Sequence, residues 1–201
     1  MIISDKYHII FIHIPKNAGT YITTLLFNLD PNIKRYTKNG NGHIKAKDCI
    51  EIIGLEKFNK YTKICVVRNI FDKIYSLYNY TKNDKKCTAY EIVKNMPFIK
   101  FIEIYIHDEN CLNLPYIVDR NGKVLVDNII KFENLDTELN RIFDFLNIDI
   151  SGCIPPSKIN QYGIGTYGDK YNLTTINMVK LLAKEDIDFF NFTVPSTTVV
   201  N

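Results

Sequence analysis

The sequence has no CxxC pair, no apolar run long enough to cross a bilayer, no Gly-Lys-Ser/Thr triplet and little surplus of either charge. Each absence removes a class of protein. Cys49, Cys65, Cys87, Cys111 and Cys153 are scattered and odd in number, so neither a zinc knuckle nor a disulfide framework is expected, and a reducing compartment fits. Lys and Arg number 25 against 22 for Asp and Glu. That excess suits a small anionic ligand and falls short of a dedicated nucleic-acid binder. The start, MIISDKYHIIFIHIPK, places Asp5 and Lys6 ahead of a short apolar run ended by Pro15 and offers no small-residue cleavage site. We therefore expect no membrane span and a soluble, cytoplasmic chain. There is no internal repeat, no low-complexity tract and no linker, so the 201 residues, 46% hydrophobic and 23% charged, are expected to form a single domain over residues 1–201.

What is present reads as alternating strands and helices. Tyr7 to Ile14 is a β-branched, aromatic run with almost no polar alternation, the pattern of a buried strand. The polar loop Pro15–Thr20 follows, then a helix over Tyr21–Asn28 with Ile22, Leu25 and Leu26 on one face. Asn32 to Gly42 is loop chemistry ending in Asn39-Gly40-Asn41-Gly42, from which His43 emerges, and a helix is expected over Ala46–Ile53. Tyr61–Arg68 reads as a second buried strand, Phe71–Tyr80 as a helix, and Thr88–Asp108 as helical with a break near Pro97. Asn121-Gly122 signals a hairpin between 116–119 and 123–126, with a strand over Asn128–Phe132, a helix over Asp136–Leu146 and a last helix opening near Thr174. The strand-loop-helix unit occurs twice. The expected fold is α/β: a P-loop-like three-layer arrangement with a central, mainly parallel sheet flanked by helices.

The sharpest feature is the strand-to-helix loop carrying Lys16, Asn17, Ala18, Gly19, Thr20 and Tyr21. Backbone N–H groups at a helix N-terminus point outward with about half a positive charge behind them, which makes a phosphate cradle. Gly19 permits close approach, Thr20 adds a hydroxyl and Lys16 a mobile charge. One glycine, with the lysine ahead of it, is not a Walker A loop. An ordinary βα turn with a surface lysine is the bland alternative. The second feature, Val66 to Ser76, repeats the geometry with Arg68 at a strand end and Ser76 in the following helix. In a parallel sheet both strand ends lie at one edge, where ligands bind. Arg68 as a structural ion-pair partner is the alternative there.

These segments resemble the sulfotransferases that use 3′-phosphoadenosine 5′-phosphosulfate (PAPS). FIHIPKNAGT is similar to their 5′-phosphosulfate loop, PKTAGTS, and VVRNIFDKIYSLY to their 3′-phosphate motif, R-[DN]-P-x-[DE]-R-x-x-S-x-Y. NGHIKAKDCIEI resembles the His-containing segment of the carbohydrate branch, which includes the heparan sulfate 2-O-sulfotransferases. The Asn121-Gly122 hairpin with IIKFENLDTELNRIFDFLNI, and the Tyr-rich loop and helix from Tyr167 to Phe192 with its Asp186-to-Phe190 pattern, resemble later segments of that branch. The resemblance implies that Lys16, Asn17, Ala18, Gly19, Thr20 and Tyr21 bind the 5′-phosphosulfate, that Arg68 and Ser76 bind the 3′-phosphate, and that His43 is the catalytic histidine. Ile70 and Lys73 depart from the pattern, standing where proline and arginine are usual.

Sulfuryl transfer asks for positioning, one base and one cation at the departing oxygen. His43 suits the base and Lys16 the cation; Asp48 and Glu51 are the nearest alternative bases. Glu133 reads as a capping or ion-pair residue, and His13 as a core or sheet-edge residue. Further candidates for holding PAPS lie in the late loop: Tyr162, Tyr167 and Tyr171 for the adenine, with Ser157 and Lys158 as phosphate contacts. The expected activity is transfer from PAPS, without a metal, to a hydroxyl of a glycan or small metabolite. A nucleotide kinase and a catalytically silent binding module are the competing classes.

Overall fold

Runs of β-branched residues bounded by polar turns give five short strands among the described residues, and all five join one sheet. The computed structural model describes residues 1–153, 155 and 167–196. The strands are β1 (Ile2–Ser4), β2 (Ile9–Ile12), β3 (Lys34–Arg35), β4 (Thr62–Val67) and β5 (Asn128–Lys131). The helices are α1 (Gly19–Leu29), α2 (Ala46–Ile53), α3 (Leu55–Lys60), α4 (Ile70–Asn83), α5 (Tyr90–Val93), α6 (Phe98–Tyr105), α7 (Leu135–Phe145), α8 (Leu173–Leu182) and α9 (Lys184–Phe190). The chain divides into two compact units, residues 1–68 with 115–159, and residues 69–114 with 160–201.

The first unit holds the sheet, in the order β3-β1-β2-β4-β5. β2, β4 and β5 run parallel, with Phe11 opposite Ile64 and Val66 opposite Ile130; β1 and β3 add an antiparallel edge. This is the expected α/β class, a largely parallel sheet flanked by helices. On one face Ile9, Phe11, Ile64, Val66 and Ile130 pack with Ile22, Leu25 and Leu26 of α1 and Leu139, Ile142 and Phe143 of α7. The alternate residues Ile10, Ile12, Cys65 and Val67 are also buried. Burial on both faces explains why these strands read as continuous apolar runs. Because β2, β4 and β5 are parallel, Lys16, Arg68 and Phe132 all follow strand ends on the same edge.

Several details differ from expectation. Residues 7–14 are not one strand: Tyr7 N–H bonds to Ser4 Oγ (3.2 Å) and His8 adopts a left-handed φ of 53°, turning β1 back as β2. The Asn121-Gly122 hairpin is a tight turn with Gly122 at φ 78° and a single bridge, Val118 to Val124, rather than two strands. β3 and α3 fall in stretches too short and too polar to show a period.

The second unit is helical among its described residues. Its helix α4 opens on Asn69, whose side chain accepts from Phe71 N–H at 3.0 Å. Pro97 stands at the N-cap of α6, so the break expected there is real. Tyr171 donates to Phe71 O (2.8 Å), and its ring meets Phe71 and Phe98 edge-on. Lys73 has no exposed surface; its ammonium donates to Leu112 O (2.7 Å) and Asn113 Oδ1 (3.4 Å). Asp186, also buried, accepts from Asn113 N–H and Nδ2 (both 2.7 Å) and from Leu114 N–H (2.8 Å).

Candidate active site

The loop from Pro15 to Gly19 is shaped by its backbone. Lys16 and Ala18 sit at φ 63° and 55°, left-handed conformations in non-glycine residues. Alternating handedness of this kind turns successive N–H groups toward one side, an anion-binding concavity. Ala18 is the N-cap of α1, a helix of 11 residues with no acidic residue in its first turn. The positive end of its dipole is therefore left without a neighbouring carboxylate from its own first turn. Thr20 is exposed and Lys16 half-buried.

Two hydrogen bonds tie this loop to the end of β4. Buried Asn17 donates through Nδ2 to Val66 O (2.8 Å), and Arg68 donates through Nη1 to Lys16 O (3.2 Å). The Arg68 guanidinium carbon stands 4.3 Å from the centre of the Phe132 ring. Arg68 is only 4% exposed, so it serves as a buttress that carries a fixed charge to the strand edge. Tyr21, in the first turn of α1, is buried and its hydroxyl donates to Asp136 Oδ1 (3.3 Å), with its pKa raised mainly by burial and also by that carboxylate.

His43 lies beside this loop. Its main-chain N–H bonds to Asn41 Oδ1 (2.8 Å), an Asx turn that ends the glycine-rich segment. Its Nδ1 lies 2.9 Å from His13 O. A carbonyl oxygen only accepts, so the hydrogen belongs on Nδ1 and the lone pair on Nε2, the arrangement a base requires. The His13 ring contacts the His43 ring edge to face at 4.4 Å and occupies the space in front of Gly19. The pKa of His13 is lowered to about 3, first by burial and then by His43.

The structure thus gathers Lys16, Asn17, Ala18, Gly19, Thr20, Tyr21, Arg68 and His43 within the first unit. Of the alternative bases, Asp48 and Glu51 are engaged by Lys38 at 3.3 and 3.2 Å. Ser76 is buried on α4 in the second unit, where Tyr167 stands half-buried just before a 3₁₀ turn. Ser157, Lys158 and Tyr162 lie outside the described residues. Sequence reasoning read His13 only as a core or sheet-edge residue and did not foresee its contacts with His43 and Gly19, the bond from Asn17 to Val66 O, or Phe132 beneath Arg68. The sole sequence signal for His13 was a titratable residue at the end of an otherwise apolar strand. No group of three or more His, Cys, Asp or Glu side chains that could hold a metal is found among the described residues. Nor is any helix there long and apolar enough to cross a membrane.

A largely parallel sheet flanked by helices, with the Lys16–Gly19 loop leaving one strand end, defines an α/β class of protein. Comparison with protein families narrows it: the sulfotransferase family matches residues 1–193, and the chain belongs to that family. It is accordingly placed among the sulfuryl-group transferases. Neither the curated proteins nor the solved structures include a match.

Proposed function

We propose that this protein moves the sulfuryl group of PAPS to a hydroxyl of a carbohydrate acceptor. The observation that carries the reading is the pairing of an anion-binding helix terminus with a histidine whose Nδ1 contacts a carbonyl oxygen. The residues present fit the 5′ end of such a donor: left-handed turns at Lys16 and Ala18, an exposed Thr20 hydroxyl, and no carboxylate in the first turn of α1. PAPS, when bound, supplies a sulfuryl group on a stable leaving phosphate.

The chain's own residues supply the rest. The N–H groups at the start of α1 and the Thr20 hydroxyl bind the anion. Lys16 Nζ stabilises negative charge on the departing oxygen, a term that such a preorganised cation makes large. His43 Nε2 accepts the proton of the acceptor hydroxyl, while Nδ1 holds its own proton against His13 O. Arg68 keeps the loop in place through Lys16 O and adds positive charge at the strand edge for the nucleotide's 3′-phosphate. The carbohydrate assignment of the acceptor rests on the resemblance of the His43 segment to the carbohydrate branch.

Calorimetric titration with 3′-phosphoadenosine 5′-phosphate in EDTA tests the donor site. Wild type is expected to bind without metal, and Lys16→Ala and Arg68→Ala to bind about tenfold or more weakly. Preference for ATP with Mg²⁺ would overturn the reading in favour of a phosphotransferase, and absence of binding would overturn it in favour of a catalytically silent module. His43→Ala is expected to keep nucleotide affinity and lose turnover of PAPS against a panel of glycans.

A further inference from the structure

We infer, building on the reading of His43 as the base, that His13 is a positioning residue. Its ring is the wedge that sets where the His43 imidazole stands relative to the first residue of α1. The ring is boxed on three sides. Phe11 stacks on it at 5.7 Å with planes 21° apart, and the His43 ring meets it at 4.4 Å and 62°. On the remaining side is Gly19, where an added Cβ would come within 1.6 Å of His13 Nε2 and 2.0 Å of Cδ2. No side chain fits there. Glycine at position 19 is therefore required by the His13 ring, independently of any anion that the loop binds.

The backbone of the same residue completes the arrangement. His13 O accepts from His43 Nδ1, so one residue fixes both the ring's location and its tautomer. Burial keeps the His13 side chain neutral, and a neutral neighbour does not oppose the positive charge His43 acquires on taking a proton. His13 makes this contribution without touching substrate. It acts through His43, and a displacement of that ring of an ångström is enough to slow a reaction of this type substantially.

The test reads the His43 ring directly, in the full chain labelled with ¹⁵N-histidine, so it needs no acceptor. Long-range ¹H–¹⁵N spectra of wild type are expected to show a single neutral tautomer protonated at Nδ1. In His13→Ala, which keeps the backbone acceptor and removes only the ring, the His43 ring nitrogen and proton signals are expected to move away from their wild-type positions, while affinity for 3′-phosphoadenosine 5′-phosphate changes less than about twofold. His13→Phe keeps a ring in the box and should return His43 toward the wild-type pattern; it also serves if the alanine variant folds poorly. Gly19→Ala should disturb the His43 nitrogens alone but add nothing further in a His13→Ala background, because it acts by pushing that ring. His43 signals unchanged in His13→Ala, or a Gly19→Ala effect undiminished without the ring, would overturn the proposal. Failure of the base reading would appear separately, as undiminished turnover in His43→Ala.

Discussion

At the scale of single residues, His13 ties stability to pH. An ordinary histidine titrates near 6.5, and in the folded chain this one is held to about 3, first by burial, then by His43, the N-terminal amine and Arg35. As pH falls below 6.5 the unfolded chain takes up a proton that the folded chain refuses. The contribution of His13 is therefore complete above 6.5 and is lost as pH falls toward 3. Its slope approaches about 1.4 kcal/mol per pH unit inside that window. Urea unfolding of wild type and His13→Phe at about pH 7 and about pH 4.5 checks this. The wild-type midpoint should drop further than that of the variant; equal drops would mean that His13 is protonated in the fold. The residue's side chain was readable in the sequence only as a histidine in an apolar strand. Its partner lies 30 residues away, and no local pattern joins the two.

At the scale of elements, two helix starts among the described residues carry a side-chain cap, whereas α2, α3, α5, α6, α7 and α9 lack one just as α1 does. α4 and α8 are closed by their own side chains: Asn69 caps the first, and Asn172 with Thr175 forms a capping box on the second. What sets α1 apart is its N-cap, Ala18, in a left-handed turn. Asn172→Ala should lower stability by about 1 kcal/mol, and Asn172→Asp should restore most of it, both read from urea midpoints. A loss confined to a few tenths would assign α8 to packing alone. The helices α2, α4 and α7 were legible because their apolar residues recur at helical spacing over two or more turns. β3 has two residues and α3 six, too few for a period to show.

At the scale of the whole chain, both units bury apolar residues, and the second adds a buried polar cluster. The first rests on apolar packing between the sheet, α1 and α7. The second contains a buried polar cluster in which Asp186 gathers three N–H donors from Asn113 and Leu114, and Lys73 reaches Leu112 and Asn113 from α4. Burial raises the Asp186 pKa, a sign that the donors offset its desolvation only in part. Asp186→Ala would leave those donors without an acceptor and should cost about 3 kcal/mol or more. Hydrogen exchange is expected to speed first in α4, α6 and α9, with the amides of β2 and β4 following; uniform acceleration would show that the cluster secures the entire chain. Lys73, where the resembled motif carries arginine, thus has its ammonium committed to Leu112 and Asn113.

The sequence by itself determined the class of fold and several of its elements, among them α1, α2, β4, α4, β5 and α7, because apolar periodicity and turn chemistry act over a few residues at a time. It also named Lys16, Gly19, Arg68 and His43, since each stands in a short segment with its own chemical pattern. Only the tertiary structure showed that Arg68 and Asn17 bond across to the loop and the strand end, that Gly19 faces the His13 ring, and that His13 meets His43. Those relations depend on which strand lies beside which. β2 pairs with β4 across some fifty residues of chain, and that register, set by burial of both faces of the sheet, brings the loop, the arginine and the two histidines into one unit.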